Sequence, residues 1–207
     1  CKHIELNANI VVACGTGNNG GDGLVIARKL IQNNYKVTVV ISGDADNGSP
    51  DFKFNLHRLN LLNSVELQIE PTDLSSVKKA TVIIDALFGT GLNKPITGYA
   101  SELIRSINSS TAEVIAIDMP SGMFADEPTP STFDVVKADY TLSFQVPKLG
   151  FFMPENDSFV GKFVLLDIQL SSDFNPEKHT QNFWLERTDF GSNNFKRSKH
   201  DNKWNFG

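Results

Sequence analysis

Three stretches of this chain concentrate groups that can do chemistry. The first is Cys14-Gly15-Thr16-Gly17-Asn18-Asn19-Gly20-Gly21-Asp22-Gly23. Gly15, Gly17 and Gly20 fall at G-x-G-x-x-G spacing, where glycines let the backbone turn tightly and let a ligand reach peptide N–H groups with no Cβ in the way. The carboxamides of Asn18 and Asn19 can serve hydroxyls, an amide or a metal ion. Asp22 reads as the start of the next helix, where a carboxylate suits the dipole but repels a diphosphate, so a cation or sugar and amide groups fit better there. The second stretch is Asp85 followed by Ala86-Leu87-Phe88-Gly89-Thr90-Gly91-Leu92-Asn93-Lys94-Pro95, a loop whose N–H groups and Lys94 can hold phosphate. The third is Asp118 with Met119-Pro120-Ser121-Gly122, a rigid turn that fixes a hydroxyl. A lone Asp in such a place is commonly a cap or turn former, and a glycine-rich turn can exist without a ligand. The three together favour one shared crevice. Asp44, after the second apolar run, can accept a ribose hydroxyl bond, although its polar DADNGS surroundings favour a solvated loop.

The elements that must position these groups follow from periodicity. Apolar, β-branched runs NIVVAC (9–14), YKVTVVIS (35–42), VELQI (65–69), TVIID (81–85) and EVIAID (113–118) alternate with helical segments at 21–32, 51–62, 73–79 and 99–108. YTLSF (140–144) and FVLLDI (163–168) extend the same sheet at its edge. Near-continuous apolar strands between helices predict an α/β, Rossmann-like three-layer sandwich with a mostly parallel central sheet, ligand lying beyond the strands' carboxyl ends. Leu24, Ile26, Ala27, Leu30 and Ile31 fit one packed helix face. Phe133, Phe144, Phe151, Phe152, Phe159 and Phe163 read as core, with an oligomer contact as the alternative. From about Gln169 the composition turns polar, so the division is one domain over 1–170 and a linker or tail over 171–207.

Composition excludes several classes. The 207 residues carry a net charge of −5, against nucleic acid or anionic membranes as partners. No apolar run approaches the length of a membrane span, and Cys1 and Cys14 read as reduced thiols of a soluble, cytoplasmic protein. The four histidines show no ligand spacing, so soft-metal sites are not expected.

The stretches VVACGTGNNGGDGLVIARKL, VIIDALFGTGLNKPITG and VIAIDMPSGMFAD, in this order, resemble the YjeF-type N-terminal domain family, the NAD(P)H-hydrate epimerases. ADYTLSFQVPKLGFFMPEN and FVGKFVLLDI look like that family's closing strands, and the resemblance covers roughly 9–170. It implies interconversion of the R and S forms of NADHX and NADPHX, hydrates in which water has added to the reduced nicotinamide ring, in support of repair by a dehydratase. It places substrate binding on Asn18, Asn19, Gly20, Gly21 and Asp22, on Gly89, Thr90, Gly91, Leu92, Asn93, Lys94 and Pro95, and on Asp118. It places potassium on Asn19, Asp85 and Ser121, hard oxygen ligands with one carboxylate charge, suited to a weakly held monovalent cation.

Such chemistry needs a group that assists breaking and remaking the bond at the hydrated ring carbon. Asp118 is the candidate acid/base, and Lys148, in a turn after an edge strand, is a second candidate that can orient phosphate or a hydroxyl. The resemblance also implies a homodimer, built in part by an N-terminal helical segment, whereas here few residues precede Asn9. RSKHDNKWNFG looks like the junction to a ribokinase-like dehydratase domain, as in fused bifunctional members. Two rival readings are an NAD(P)-dependent oxidoreductase, for which no Tyr-x-x-x-Lys or His–Asp arrangement presents itself, and a non-catalytic interaction module that keeps the fold and loses the site.

Overall fold

The computed structural model describes residues 4–62 and 65–171. Seven strands form one sheet: β1 (Asn9–Cys14), β2 (Lys36–Ile41), β3 (Glu66–Ile69), β4 (Val82–Ala86), β5 (Glu113–Ile117), β6 (Tyr140–Phe144) and β7 (Lys162–Leu166). Their order is β3-β2-β1-β4-β5-β6-β7, and every pairing is parallel. The fold is the expected α/β sandwich. All seven carboxyl ends therefore share one edge, and the chain reverses its direction of travel across the sheet between β1 and β4, where crossovers leave a crevice. There Ala13 is paired with Asp85 and Cys14 with Ala86.

Strand alternation divides β1 between two cores. Ile10, Val12 and Cys14 face α1 (Asn18–Gln32) and α2 (Pro50–Asn60), packing on Leu24, Ala27, Phe52 and Leu59. Val11 and Ala13 face the other layer, α3 (Ser75–Lys78) and α4 (Gly98–Ser109), with Val77, Leu103, Ile104 and Ile107. Both faces are buried, which is why the strands read as continuous apolar runs. α2 starts cleanly because Ser49 Oγ accepts the Phe52 N–H at 3.1 Å and Pro50 occupies the first turn. A third cluster joins Met119, Met123, Phe151, Phe159 and Val160, with Phe133 and Phe163 against it, beside the short α5 (Asp157–Val160). Phe144 packs against the first cluster while also lining the crevice, and Phe152, 47% exposed, departs from the core expectation.

Two local expectations are corrected. α1 begins at Asn18, directly after an extended Gly17, so Asp22 lies in its second turn and not at the helix start. β6 is not an edge strand, because β7 pairs outside it, so the turn that carries Lys148 follows an inner strand. Among the described residues no helix is long and apolar enough to cross a membrane. The tail expectation for 171–207 and the junction motif fall, beyond Ser171, outside the described residues.

Candidate functional site

The glycines of the first turn have separate reasons. A Cβ on Gly15 would lie 2.0 Å from Leu87 O, and one on Gly20 would lie 1.8 Å from Gly15 O, so both let backbone meet backbone. Gly17 would meet nothing within 4 Å and stands open at the lip of a crevice. α1 has no side-chain cap at Gly17. Its first N–H groups precede the first intrahelical bond from Gly21 N to Gly17 O, and those of Asn18 and Asn19, which line the crevice, stand available to an anion.

That crevice has a volume of about 890 Å³ and runs along the carboxyl edge from Phe144 at the end of β6 to Glu70 after β3. Five strand spacings separate β6 from β3, about 24 Å at ~4.8 Å each. Thr16, Asn18, Asn19, Asp22 and Asp118 line it, with Gly89, Thr90, Gly91 and Leu92 from the second loop. Asn93, Lys94 and Pro95 are exposed and lie outside that lining, and Gly20 and Gly21 are buried behind it.

Asp118 is the distinctive residue. It ends β5 with φ 66°, a conformation uncommon for a side chain other than glycine, Asn or Asp, and its N–H donates to Leu142 O at 2.8 Å. Lys148 Nζ stands 2.9 Å from Asp118 Oδ1, and both side chains are largely buried, 14% and 13% exposed. The same ammonium donates to Phe144 O at 3.3 Å and Val146 O at 3.4 Å. Burying an ion pair costs desolvation that a hydrophobic pair avoids, so its position at a crevice wall points to use. Across the crevice, a Cβ on Gly89 would lie 3.2 Å from Asp118 Oδ2 and 3.6 Å from Asn19 Cβ and Cγ, so these residues meet around one glycine. Asp22 is the other carboxyl here. Desolvation by the surrounding walls and then the charges of Asp118 and Asp51 push it above the usual carboxylate range.

Beneath the loop backbone lie Asp85 and Ser121, both fully buried. Asp85 Oδ1 accepts from Ser121 Oγ at 2.6 Å and from Leu87 N at 3.2 Å, and Oδ2 accepts from Ser121 N at 2.8 Å. Ser121 Oγ in turn accepts the Phe88 N–H at 2.9 Å. The turn that holds Ser121 closes with Met123 N to Pro120 O at 3.1 Å, and Gly122 at its third position has φ 99°, which glycine alone adopts freely. Burial raises the Asp85 carboxyl from 3.8 to about 6, against the hydrogen bonds from Ser121 and Leu87. Burial, and then Asp85, push the Cys14 thiol far above its ordinary range, so Cys14 is packing and not a nucleophile. Asn19 has both Oδ1 and Nδ2 buried with no hydrogen-bond partner.

Asp44 stays outside. It is exposed and caps its own short turn, accepting from Asp46 N at 2.9 Å and Asn47 Nδ2 at 2.6 Å. Its self-contained turn chemistry decides this. The sequence reading missed Ser42, Glu70, Thr97 and Tyr99, all of which line the crevice. Glu70 follows an apolar run as Asp85 and Asp118 nearly do, so the strand-end rule could have found it.

The chain is matched among known proteins. The family model described as "YjeF-related protein N-terminus" matches residues 1–150. The chain belongs to that family. An NAD(P)H-hydrate epimerase of Lentilactobacillus buchneri is 36% identical over 172 residues, covering 81% of this chain and 75% of that protein. A bifunctional NAD(P)H-hydrate repair enzyme Nnr of Moorella thermoacetica is 34% identical over 169 residues, covering 78% of this chain and 31% of that one. The crystal structure of yeast ynu0 superposes with a TM-score of 0.70 at 25% identity, covering 91% of this chain and 78% of the yeast chain.

Proposed function

We propose that this YjeF-type domain is an isomerase that epimerises the R and S forms of NADHX and NADPHX in nicotinamide nucleotide repair. The relatives that carry the name NAD(P)H-hydrate epimerase support the activity. The observation that carries it to specific residues is the buried Asp118–Lys148 pair facing Asn19 across Gly89. The diphosphate lies on the open N–H groups of Asn18 and Asn19, and the hydrated ring lies toward Asp118. When the ring carbon loses its hydroxyl, the Asp118–Lys148 pair supplies the proton that lets the oxygen leave as water. When water returns on the opposite face, the pair takes a proton back. The ring nitrogen stabilises the cation between these steps. Phe144 and Leu87 along the crevice supply apolar walls that limit stray water.

Asn19, Asp85 and Ser121 fit a potassium ion. A buried amide with two orphaned polar atoms and a buried carboxylate with no cation beside it are both costly alone, and a monovalent cation relieves both. Bound there, the ion would supply a fixed positive charge under the crevice floor. The same reading carries a homodimer and, as in the bifunctional relatives, a fused dehydratase domain in a cytoplasmic protein.

One purified epimer of NADHX, mixed with the protein and followed by NMR, is expected to relax to the mixture of both. No acceleration over buffer would reject the activity, and a change in absorbance with NADH and oxidisable substrates would point to an oxidoreductase instead.

The cation has its own readout. The Asp85 carboxyl titrates near 3.8 in the open chain and near 6 in the folded one. The folded state thus holds the proton more tightly, and stability falls as pH rises from about 4 to about 6, by roughly 3 kcal/mol if no cation binds. Potassium offsets that loss. Its gain in melting temperature over tetramethylammonium is expected to be small at pH 5 and several degrees at about pH 7.5, and absent in Asp85→Asn. Equal melting in both salts at both pH values would show that Asp85 holds no cation.

A further inference from the structure

One end of the crevice has no task in the chemistry above. Beyond β2 and β3, Ser42, Gly43, Glu70 and Tyr99 line it. Glu70 is fixed there by its backbone and its side chain together. Its φ is 40°, its N–H donates to Ile41 O at 3.0 Å, and Oε1 accepts the Gly43 N–H at 2.8 Å. A positive φ is unfavourable for glutamate, so this placement is held by the surroundings and not by its own preference. Among the described residues no hydrogen bond to Oε2 is found. Tyr99, at the start of α4, lines the same end with its hydroxyl oxygen buried and without a hydrogen-bond partner. A phenol that has lost water and gained nothing in return is poised for a ligand hydroxyl. Burial, and then the charges of Glu70 and Glu102, raise that phenol to about 12, so the Glu70 charge is felt at Tyr99.

The charge balance of the crevice is one-sided. Its lining carries Asp22, Glu70 and Asp118, and among the described residues no lysine or arginine lines it; Lys148 is engaged by Asp118. With the reacting ring at Asp118 and the diphosphate at the head of α1, the second nucleoside of a dinucleotide reaches β2 and β3. A carboxylate beside a phenol accepts from the two hydroxyls of a ribose cis-diol. A 2′-phosphate at that place brings about two more negative charges with no cation to meet them.

We propose that Glu70, with Tyr99, forms the distal ribose subsite and sets this enzyme for the hydrate of the unphosphorylated dinucleotide over its 2′-phosphorylated counterpart. This rests on the epimerase reading for the direction in which the dinucleotide lies. Asp44, where the strand-end rule first placed such a carboxylate, is bonded to its own turn, and Glu70 stands one strand further out in its stead.

The test uses the whole chain and two ligands that lack the reacting ring, ADP-ribose and 2′-phospho-ADP-ribose, titrated calorimetrically, beside kinetics on NADHX and NADPHX. ADP-ribose is expected to bind about tenfold tighter or more, and the preference is expected to weaken as salt is raised from about 0.05 to about 0.5 M, since Glu70 is exposed to solvent. Glu70→Gln, whose amide oxygen can still accept from Gly43, is expected to bring the two affinities within about threefold by admitting the 2′-phosphate. Tyr99→Phe is expected to weaken both ligands several-fold without reversing their order. In kinetics the discrimination should appear in KM and not in kcat. Equal affinities in the wild-type chain, a ratio unmoved by Glu70→Gln, or no binding of either ligand at millimolar concentration would overturn the subsite. Interconversion of both hydrates with equal efficiency would overturn it and leave the epimerase standing. A Glu70-dependent preference for ADP-ribose without any interconversion would leave the subsite standing and remove the epimerase.

Discussion

Asp118→Asn is expected to slow exchange between the two epimers by about a hundredfold or more while nucleotide affinity falls only a few-fold. Asparagine keeps the shape and tolerates a positive φ, as residue 118 requires, so the strand end need not move. What it loses is the carboxylate proposed to trade a proton with the ring hydroxyl. Lys148 then retains the carbonyls of Phe144 and Val146 as acceptors, so the variant should fold. Lys148→Met is the informative companion. It leaves a largely buried carboxylate with no counter-charge, and the cost of breaking such a pair is large even where the pair itself adds little. It should therefore lower the melting temperature as well as the rate, whereas Asp118→Asn chiefly lowers the rate. NMR exchange on single epimers, with thermal melts of both variants, separates these outcomes. Wild-type exchange in Asp118→Asn would remove the carboxylate from the mechanism.

Gly20→Ala is expected to lower the melting temperature by about 10 °C or more, or to prevent folding. The new methyl would sit 1.8 Å from Gly15 O and 2.6 Å from Gly15 C, and backbone cannot yield as a flexible side chain does. Gly17→Ala should behave in the opposite way. Its φ of −86° suits alanine and its Cβ meets nothing, so the melting temperature is expected to stay within about 2 °C. The methyl does stand where a ligand would approach the helix N–H groups, so ADP-ribose affinity should drop by about tenfold. Melting curves and titrations on the two variants decide it. A destabilised Gly17→Ala, or a normally stable Gly20→Ala, would mean that the turn is not built as described.

The strands were legible almost to the residue, because a parallel sheet covered on both faces needs unbroken apolar runs and those runs are plain in the chain. The helix after the first turn was harder. Glycine weakens a helix interior, so the sequence suggests a start at Gly21, yet the structure begins α1 at Asn18. Packing outweighs propensity there: a Cβ on Gly21 would touch the backbone of Phe52 at 3.3 Å, and one on Gly23 would strike Ala86 and Cys14 at 2.6 and 2.8 Å. The helix must press on its neighbours, and only glycines permit it. At the site, Asp85, Asp118 and Ser121 could be named because each ends or follows a strand. That Asp118 meets Lys148 could not, since the pairing joins the end of β5 to the turn after its neighbour β6. Glu70 and Tyr99 were hidden for a similar reason: the short β3 gives a weak signal, and the residues of β3 and α4 come to one crevice only once the sheet is assembled.

The reversal of strand order between β1 and β4 has a consequence for how the enzyme comes into being. One wall of the crevice is made by the segment up to β3 and the other by the segment from β4 onward, and the seam between them joins residues as remote in the chain as Ala13 and Asp85. Neither segment alone holds a half-active site, because the turn at Gly15 closes on Leu87 and the crevice lining comes from both sides. A complete cleft thus requires both segments, and a chain that stops between β3 and β4 lacks the wall that carries Gly89 and Asp118.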